Sequence, residues 1–473
     1  MKKNLNIMNM TITIILWLII FIVKWQYDMG NIDVDLKCAT VIGVMVNIFC
    51  IASTVLIEKK ITSPYVIFQI MSIPFLYGQL ICRELLNVKI DNMFDLKILV
   101  TEESLINACF LIAYCQLALH LGNSIYKIVR HKSNKKIMNI DKLTEQVSLK
   151  KVGTILLVIS IIPATYNFVM NFKTTSTLGY DGLAVNRTYG LASILDKIVP
   201  FFQISLYMLM IANKENKFYS KSILCFIITF YGIQMFFGNR GKPIIAVITA
   251  IWLYHIAVKK IDKKMIIIIL IMIIPLSTVI NIIRETRDEM GFGEWINNIG
   301  GLIIASATKN NPIVETCYEM GTAIYPTAYT IKTIPGKQTY RYGKTYLLSC
   351  FSIISINTSG GKNNLAYNMN IAAQMSEDAG SPFGGSYIQE AYANFGWLSP
   401  IFIIFLGMLF EMINRKTLNS KNLIEIVLIA YLLNSLLWSV RNVLVTLPRE
   451  ICWYIIPTYL IYKLVYNQQK NKE

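Results

Sequence analysis

Twelve apolar runs cross this chain from end to end, and they limit its fold more than any other feature. They fall at 7–25, 39–57, 65–82, 104–121, 152–170, 198–212, 222–237, 243–258, 265–283, 395–413, 423–440 and 451–466. A helix rises 1.5 Å per residue and needs about 20 residues to cross about 30 Å of hydrocarbon. The runs are slightly shorter, so each span borrows flanking residues. Lipid offers no partner for free backbone groups, which makes helices the expected element. Only 15% of the residues are charged and 54% are hydrophobic, against about 25% charged in a soluble globule. The expectation is an all-α integral membrane protein of about 12 transmembrane helices, forming one polytopic domain over residues 1–473. Pro74, Pro163 and Pro275 fall inside runs and are expected to kink helices. Met1-Lys2-Lys3 precedes the first run without a small-residue cleavage site, so that helix is expected to be retained.

The net charge of +17 does not point to nucleic acid, because the cations sit in short clusters between apolar runs. Taking alternate loops as internal places 25 Lys and Arg inside and 20 outside, eight of the latter in one loop of 111 residues. Long loops weigh little in the positive-inside rule, so both termini are expected in the cytoplasm. Residues 284–394, between the ninth and tenth helices, then form the one large extracytoplasmic loop. Eight of ten arginines fall outside, whereas 23 of the 25 internal cations are lysine. Arginine's planar fork suits bidentate recognition of phosphate or carboxylate. Pairing with Glu or snorkelling to headgroups is the bland alternative for any one of them.

Gly238-Asn239-Arg240-Gly241-Lys242-Pro243 joins two runs as a tight outward turn. The helix that follows points its N-terminus at whatever Arg240 holds, which suits an anion. In the long loop, eight Lys and Arg meet nine Asp and Glu, so it reads as a structured cap rather than an electrostatic sponge. Arg284 and Arg287 share one helix face. Residues 312–333 read as one amphipathic helix with Glu315 and Glu319 four apart, a pair suited to acid–base work or to a solvated surface. Glu390 sits close to a membrane entry and is expected to pair with an outward arginine. His120, His131 and His255 all map to the inner side or to helix ends, leaving no histidine base for outward chemistry. Nine cysteines show no metal spacing, and Walker, HExxH and CxxC motifs are absent from the sequence. No metal or cofactor is expected; Cys317 and Cys350 share the long loop, which leaves a disulfide between them open.

The Gly-Asn-Arg-Gly turn, the late outer loop and the segment Gly384-Gly385-Ser386…Glu390-Ala391-Tyr392-Ala393-Asn394-Phe395-Gly396 resemble the Wzy-type oligosaccharide repeat-unit polymerases. These make O-antigen and capsular polysaccharide. The resemblance implies a glycosyltransferase in the bacterial plasma (inner) membrane. It would join undecaprenyl-diphosphate-linked oligosaccharides on the outer face, with a flippase and a chain-length regulator as partners. On that reading Arg187, Arg240, Arg284 and Arg287 hold diphosphates, and Glu390 with Arg240 carries catalysis. Arg341, Glu315 and Glu319 are weaker candidates. Two other functions compete: a lipid-linked-oligosaccharide flippase or transporter, and an O-antigen ligase, a class that uses an outward histidine.

Overall fold

The computed structural model describes residues 2–88, 99–129, 142–178, 191–236, 241–261, 298, 301, 311–354, 365–381, 384–420 and 422–471. Among these residues every regular element is helical. The first half holds α1 (Lys2–Asp28), α2 (Leu36–Glu58), α3 (Pro64–Leu80), α4 (Glu102–Val129), α5 (Lys142–Leu178), α6 (Leu191–Ala212), α7 (Lys217–Phe236) and α8 (Gly241–Ala257). Short helices follow: α9 (Pro312–Met320), α10 (Ile324–Thr333), α11 (Lys344–Phe351), α12 (Leu365–Met369), α13 (Ile371–Asp378) and α14 (Tyr387–Phe395). The chain closes with α15 (Ser399–Asn419), α16 (Leu423–Trp438), α17 (Leu447–Glu450) and α18 (Ile456–Lys470).

Eight described segments are long and apolar enough to cross a membrane: α1 to α7 and the stretch Tyr387–Thr417. α8 and α16 are apolar but only 17 and 16 residues long. The last expected run is split between a π turn at Ile451–Ile455 and α18. The run at 265–283 lies outside the described residues. Eight of the expected twelve spans thus meet length and composition among the described residues, α3 doing so together with the π turn that continues it to Leu85, while α8 and α16 are shorter than a full crossing. Pro74 and Pro163 stay inside continuous helices, as expected; Pro275 is outside the described residues.

α4 is the central helix. In its most apolar window 89% of residues are buried, against 17% in α1. The outward apolar side chains of α1, such as Leu18 and Phe21, fit a lipid-facing surface. α4 packs against α1, α2, α10 and α15, while α5 and α6 run together and α16 lies against α6 and α8. The α4–α15 crossing is set by glycine. A Cβ on Gly122 would stand 1.9 Å from the Ile404 carbonyl oxygen, and one on Gly407 would stand 2.0 Å from the Leu119 carbonyl oxygen. Small residues let membrane helices approach this closely.

The interior is rich in uncharged polar groups. His120 is fully buried. Its Nε2 meets Asn9 Nδ2 at 2.8 Å and Ser53 Oγ at 3.1 Å, and its Nδ1 meets Tyr65 OH at 2.8 Å. Gln69 Nε2 donates to Tyr65 OH at 2.9 Å. Such a network pins α1, α2, α3 and α4 to one register, because an unpaired amide in this core would be costly.

The described part of the long loop packs onto the bundle. The expected single helix over 312–333 is two helices, α9 and α10, separated by a 3₁₀ turn at Gly321–Ala323. That turn seats against the backbone of Gln79 in α3, and α10 lies along α4. α14 is the clamp of this region. Ser386 caps it by accepting from Gln389 N–H at 3.0 Å. Gln389 Nε2 donates to Thr330 Oγ1 at 3.1 Å, and Asn394 Nδ2 donates to Thr345 Oγ1 at 2.7 Å.

Candidate active site

Residues of five helices and Glu450 converge on a cavity of about 470 Å³, a size typical of small-molecule sites, which run roughly 300–1,000 Å³. Asn167 and Asn171 come from α5, Asp196 and Gln203 from α6, and Gln234 from α7. Lys242 comes from the first turn of α8, and Asn434 and Trp438 from the end of α16. These positions follow from antiparallel connection. Asn167, Asn171 and Gln203 lie within α5 and α6, while Gln234, Lys242 and Trp438 stand at the ends of α7, α8 and α16.

Hydrogen bonds hold the lining in place. Asn171 Nδ2 donates to Asn167 Oδ1 at 2.9 Å, and Asn167 Nδ2 donates to Asp196 Oδ1 at 2.6 Å. Gln203 Nε2 donates to Tyr207 OH at 2.7 Å, and Tyr207 OH donates to the Ala246 carbonyl at 3.0 Å. Ser435 Oγ donates to Glu450 Oε2. Burial pushes the Glu450 carboxyl above the usual carboxylate range, while the Ser435 hydroxyl and the Lys242 ammonium oppose the shift. A carboxyl in this state is suited to taking a proton.

Among the described residues Lys242 is the one cation of the lining, while Lys197 and Arg449 are next in sequence to the lining residues Asp196 and Glu450. Lys242 Nζ lies 5.8 Å from the Trp438 ring centroid. On Trp453 the Arg449 guanidinium stands 5.2 Å and Lys197 Nζ 5.8 Å from the ring centroid. Arg449 also donates from Nε and Nη2 to the Ser352 carbonyl, at 3.1 and 2.8 Å, tying the turn after α11 to α17. Lys197 Nζ is buried and has no hydrogen-bond partner among the described residues. A buried ammonium without a hydrogen bond is costly.

Arg187, Arg240, Arg284 and Arg287 lie outside the described residues, and so does the turn at 238–240. Arg240 is covalently next to Gly241, which packs so closely on Trp438 that a Cβ would meet the ring at 2.3 Å. Pro243 stands in the first turn of α8, as expected. The other four candidates, Arg341, Glu315, Glu319 and Glu390, are described, and none lines the cavity. Arg341 Nη2 donates to Gln338 and Gln374, each at 3.0 Å. Glu315 is buried and Glu319 half-buried on α9, rather than on an open solvated face. Glu390 is fully buried, and its Oε2 accepts from Leu444 N–H. Among the described residues a backbone amide, not the expected arginine, is its partner. Cys317 and Cys350 are both free, and Cys317 lies instead beside Gly78 and Cys82 of the α3 end.

Sequence reading missed Asp196, Lys197, Asn434, Arg449 and Glu450 as a group. The available signal was their place: each stands at or near the end of an apolar run, and those run ends all lie on one side of the expected topology.

A polytopic helical bundle with acids and cations gathered at the ends of its helices defines a membrane protein with a polar site at one end. The chain belongs to the O-antigen polysaccharide polymerase Wzy family, whose sequence profile matches residues 8–471. Members of that family are polymerases that act on lipid-linked oligosaccharides in a membrane. Comparison with curated proteins and with solved structures gives no match.

Proposed function

We propose that the cavity beneath Lys242 and Glu450 is where this polymerase joins undecaprenyl-diphosphate-linked repeat units, on the outer face of the plasma membrane. The observation that carries the reading is the placing of a proton-accepting carboxyl, Glu450, and a cation, Lys242, in one polar hollow. In the reaction, a hydroxyl of the acceptor repeat unit attacks the anomeric carbon of the donor. A new C–O bond forms, the bond to the lipid diphosphate breaks, and the hydroxyl proton passes to Glu450. Lys242, Lys197 and Arg449, with Arg240 next to Gly241, stabilise the departing diphosphate as preorganised charges. Such cations do the electrostatic work without a metal.

Arg187, Arg284 and Arg287 remain candidates for the second diphosphate. Glu390 is assigned here to positioning: it holds the turn at Leu444 that leads into α17, and so sets where Arg449 and Glu450 stand. Residues 284–394 act as the cap that closes the site. Arg341, Glu315 and Glu319 hold that cap together rather than touch substrate.

Reconstitution with a purified lipid-linked repeat unit tests the reading. The wild type is expected to make lipid-linked polymer, and Glu450→Gln to lower the rate by about 10²-fold or more, in line with loss of a general base. Arg240→Ala is expected to weaken use of the diphosphate donor. Undiminished polymer from a folded Glu450→Gln variant removes Glu450 from the chemistry.

A further inference from the structure

Cys82 and Cys317 stand 235 positions apart in the chain and meet where the cap sits on the bundle. Cys82 lies in the π turn Ile81–Leu85 that continues α3, and Cys317 lies within α9. Gly78, one turn before Cys82, sets how closely the two elements approach. A Cβ there would stand 2.3 Å from the Cys317 carbonyl oxygen and 3.2 Å from its Sγ, so a side chain at this position would hold α9 away. Cys82 Sγ lies 3.5 Å from the Val314 carbonyl oxygen, within hydrogen-bond reach. Val314 is one turn before Cys317, and helical side chains lean toward the N-terminus of their helix. The Cys317 sulfur therefore leans toward the level at which the Cys82 sulfur sits, and the two thiols are hydrogen-bonded.

The two thiols differ in access. Cys82 is buried, whereas Cys317 is half-buried and open in part to a reagent. The hydrogen bond with Cys82 holds the Cys317 thiol below its ordinary range, with burial acting against that shift. A thiolate is the nucleophile of disulfide exchange, and access decides which of two thiols reacts first. Cys317 has both advantages, and Cys82 is placed to follow it.

We propose that Cys82 and Cys317 form a dithiol that closes to a disulfide by exchange with a small disulfide oxidant, locking α9 of the cap onto α3. The Cys317 thiolate attacks one sulfur of the oxidant, whose S–S bond breaks and whose other sulfur leaves as a thiolate. Cys317 is then held as a mixed disulfide. Cys82 gives up its proton and attacks the Cys317 sulfur, forming the Cys82–Cys317 bond and expelling the second oxidant thiolate. Two electrons pass from the protein thiols to the oxidant, and the two thiol protons end on its two sulfurs. Disulfides form and persist outside the plasma membrane, where the function proposed above, on which the supply of oxidant rests, places the cap. A bond between positions so far apart restricts the unfolded chain strongly.

Purified full-length protein, reduced and then incubated with oxidised glutathione, provides the test. Peptide mapping by mass spectrometry is expected to find Cys82 joined to Cys317 in the folded wild type. Cys82→Ser is expected to stop at a glutathione adduct on Cys317, and Cys317→Ser to leave Cys82 reduced. The oxidised wild type is expected to unfold at a higher temperature than the reduced one, a shift that dithiothreitol reverses. In the wild type, a lasting glutathione adduct on Cys317 beside a free Cys82, a bond from Cys317 to Cys350, or both thiols left reduced overturns the proposal. All three are read from the wild type, so they decide the matter even if the serine variants fail to fold. Polymer formation plays no part in the peptide map, so failure here and failure of the polymerase reading are separate results.

Discussion

Adding one methyl group at Gly122 or at Gly407 should force α4 and α15 apart. A carbon normally approaches a carbonyl oxygen no closer than about 3.3 Å. The Cβ of Gly122→Ala would stand 1.9 Å from the Ile404 oxygen, and that of Gly407→Ala 2.0 Å from the Leu119 oxygen. Each variant therefore needs the helices to part by about 1.4 Å, a gap that forfeits much of the dispersion energy along the crossing. Overpacking of this kind costs about 3 kcal/mol. Both glycines serve one crossing, so the parting forced by the first substitution already accommodates the second. The double variant should then lose about as much stability as either single variant, not their sum. Gly232→Ala is the internal control: nothing lies within 4 Å of its Cβ, and gained helix propensity should leave it neutral or slightly stabilised. Thermal unfolding of purified protein in detergent, followed by size-exclusion fluorescence, reads all four. Additive losses in the double variant, or a Gly122→Ala curve matching Gly232→Ala, would refute the backbone-contact argument.

Glu450 couples activity to pH. Its folded-state affinity for a proton is raised above the ordinary carboxylate, whose reference value is 4.5, so its contribution to stability is present below that value and lost as pH rises through the folded pKa. Glu450→Gln should therefore be more stable than the wild type at neutral pH, with the gap closing in acid, while polymer formation falls; thermal scans across pH check this. Lys197→Met should likewise raise thermal stability by about 1–3 kcal/mol, since it removes a buried unpaired cation, and raise KM for the lipid-linked donor in a turnover assay. His120→Phe should lower stability by about 2–3 kcal/mol, because Asn9, Ser53 and Tyr65 lose their shared partner; any polymerase activity left at low temperature should be unchanged.

The helical class and the succession of membrane segments were legible in the sequence, because lipid admits few backbone solutions and apolar runs report them directly. The segment from Gly384 to Gly396 stands out in the sequence, but its packing does not. Glu390 carries the one carboxylate there, and only the packing of α14 on the Leu444 turn turns it toward a backbone amide. Cys317 likewise meets Cys82 rather than Cys350 because α9 docks on the end of α3, a contact that a separation of 235 positions conceals.

The span count depended on tertiary structure for a related reason. Length alone separates α8 and α16 from full crossings, yet their apolar sequence resembles that of longer neighbours. By itself, the sequence determined that the chain is helical and that it lives in lipid. The folded structure decided which helix ends share a surface. Asp196, Lys242 and Glu450 are far apart in the chain and each is ordinary at a helix terminus. They become a site only because antiparallel packing brings those termini to one polar cavity, and side-chain chemistry at a point is set by neighbours that no local sequence pattern encodes.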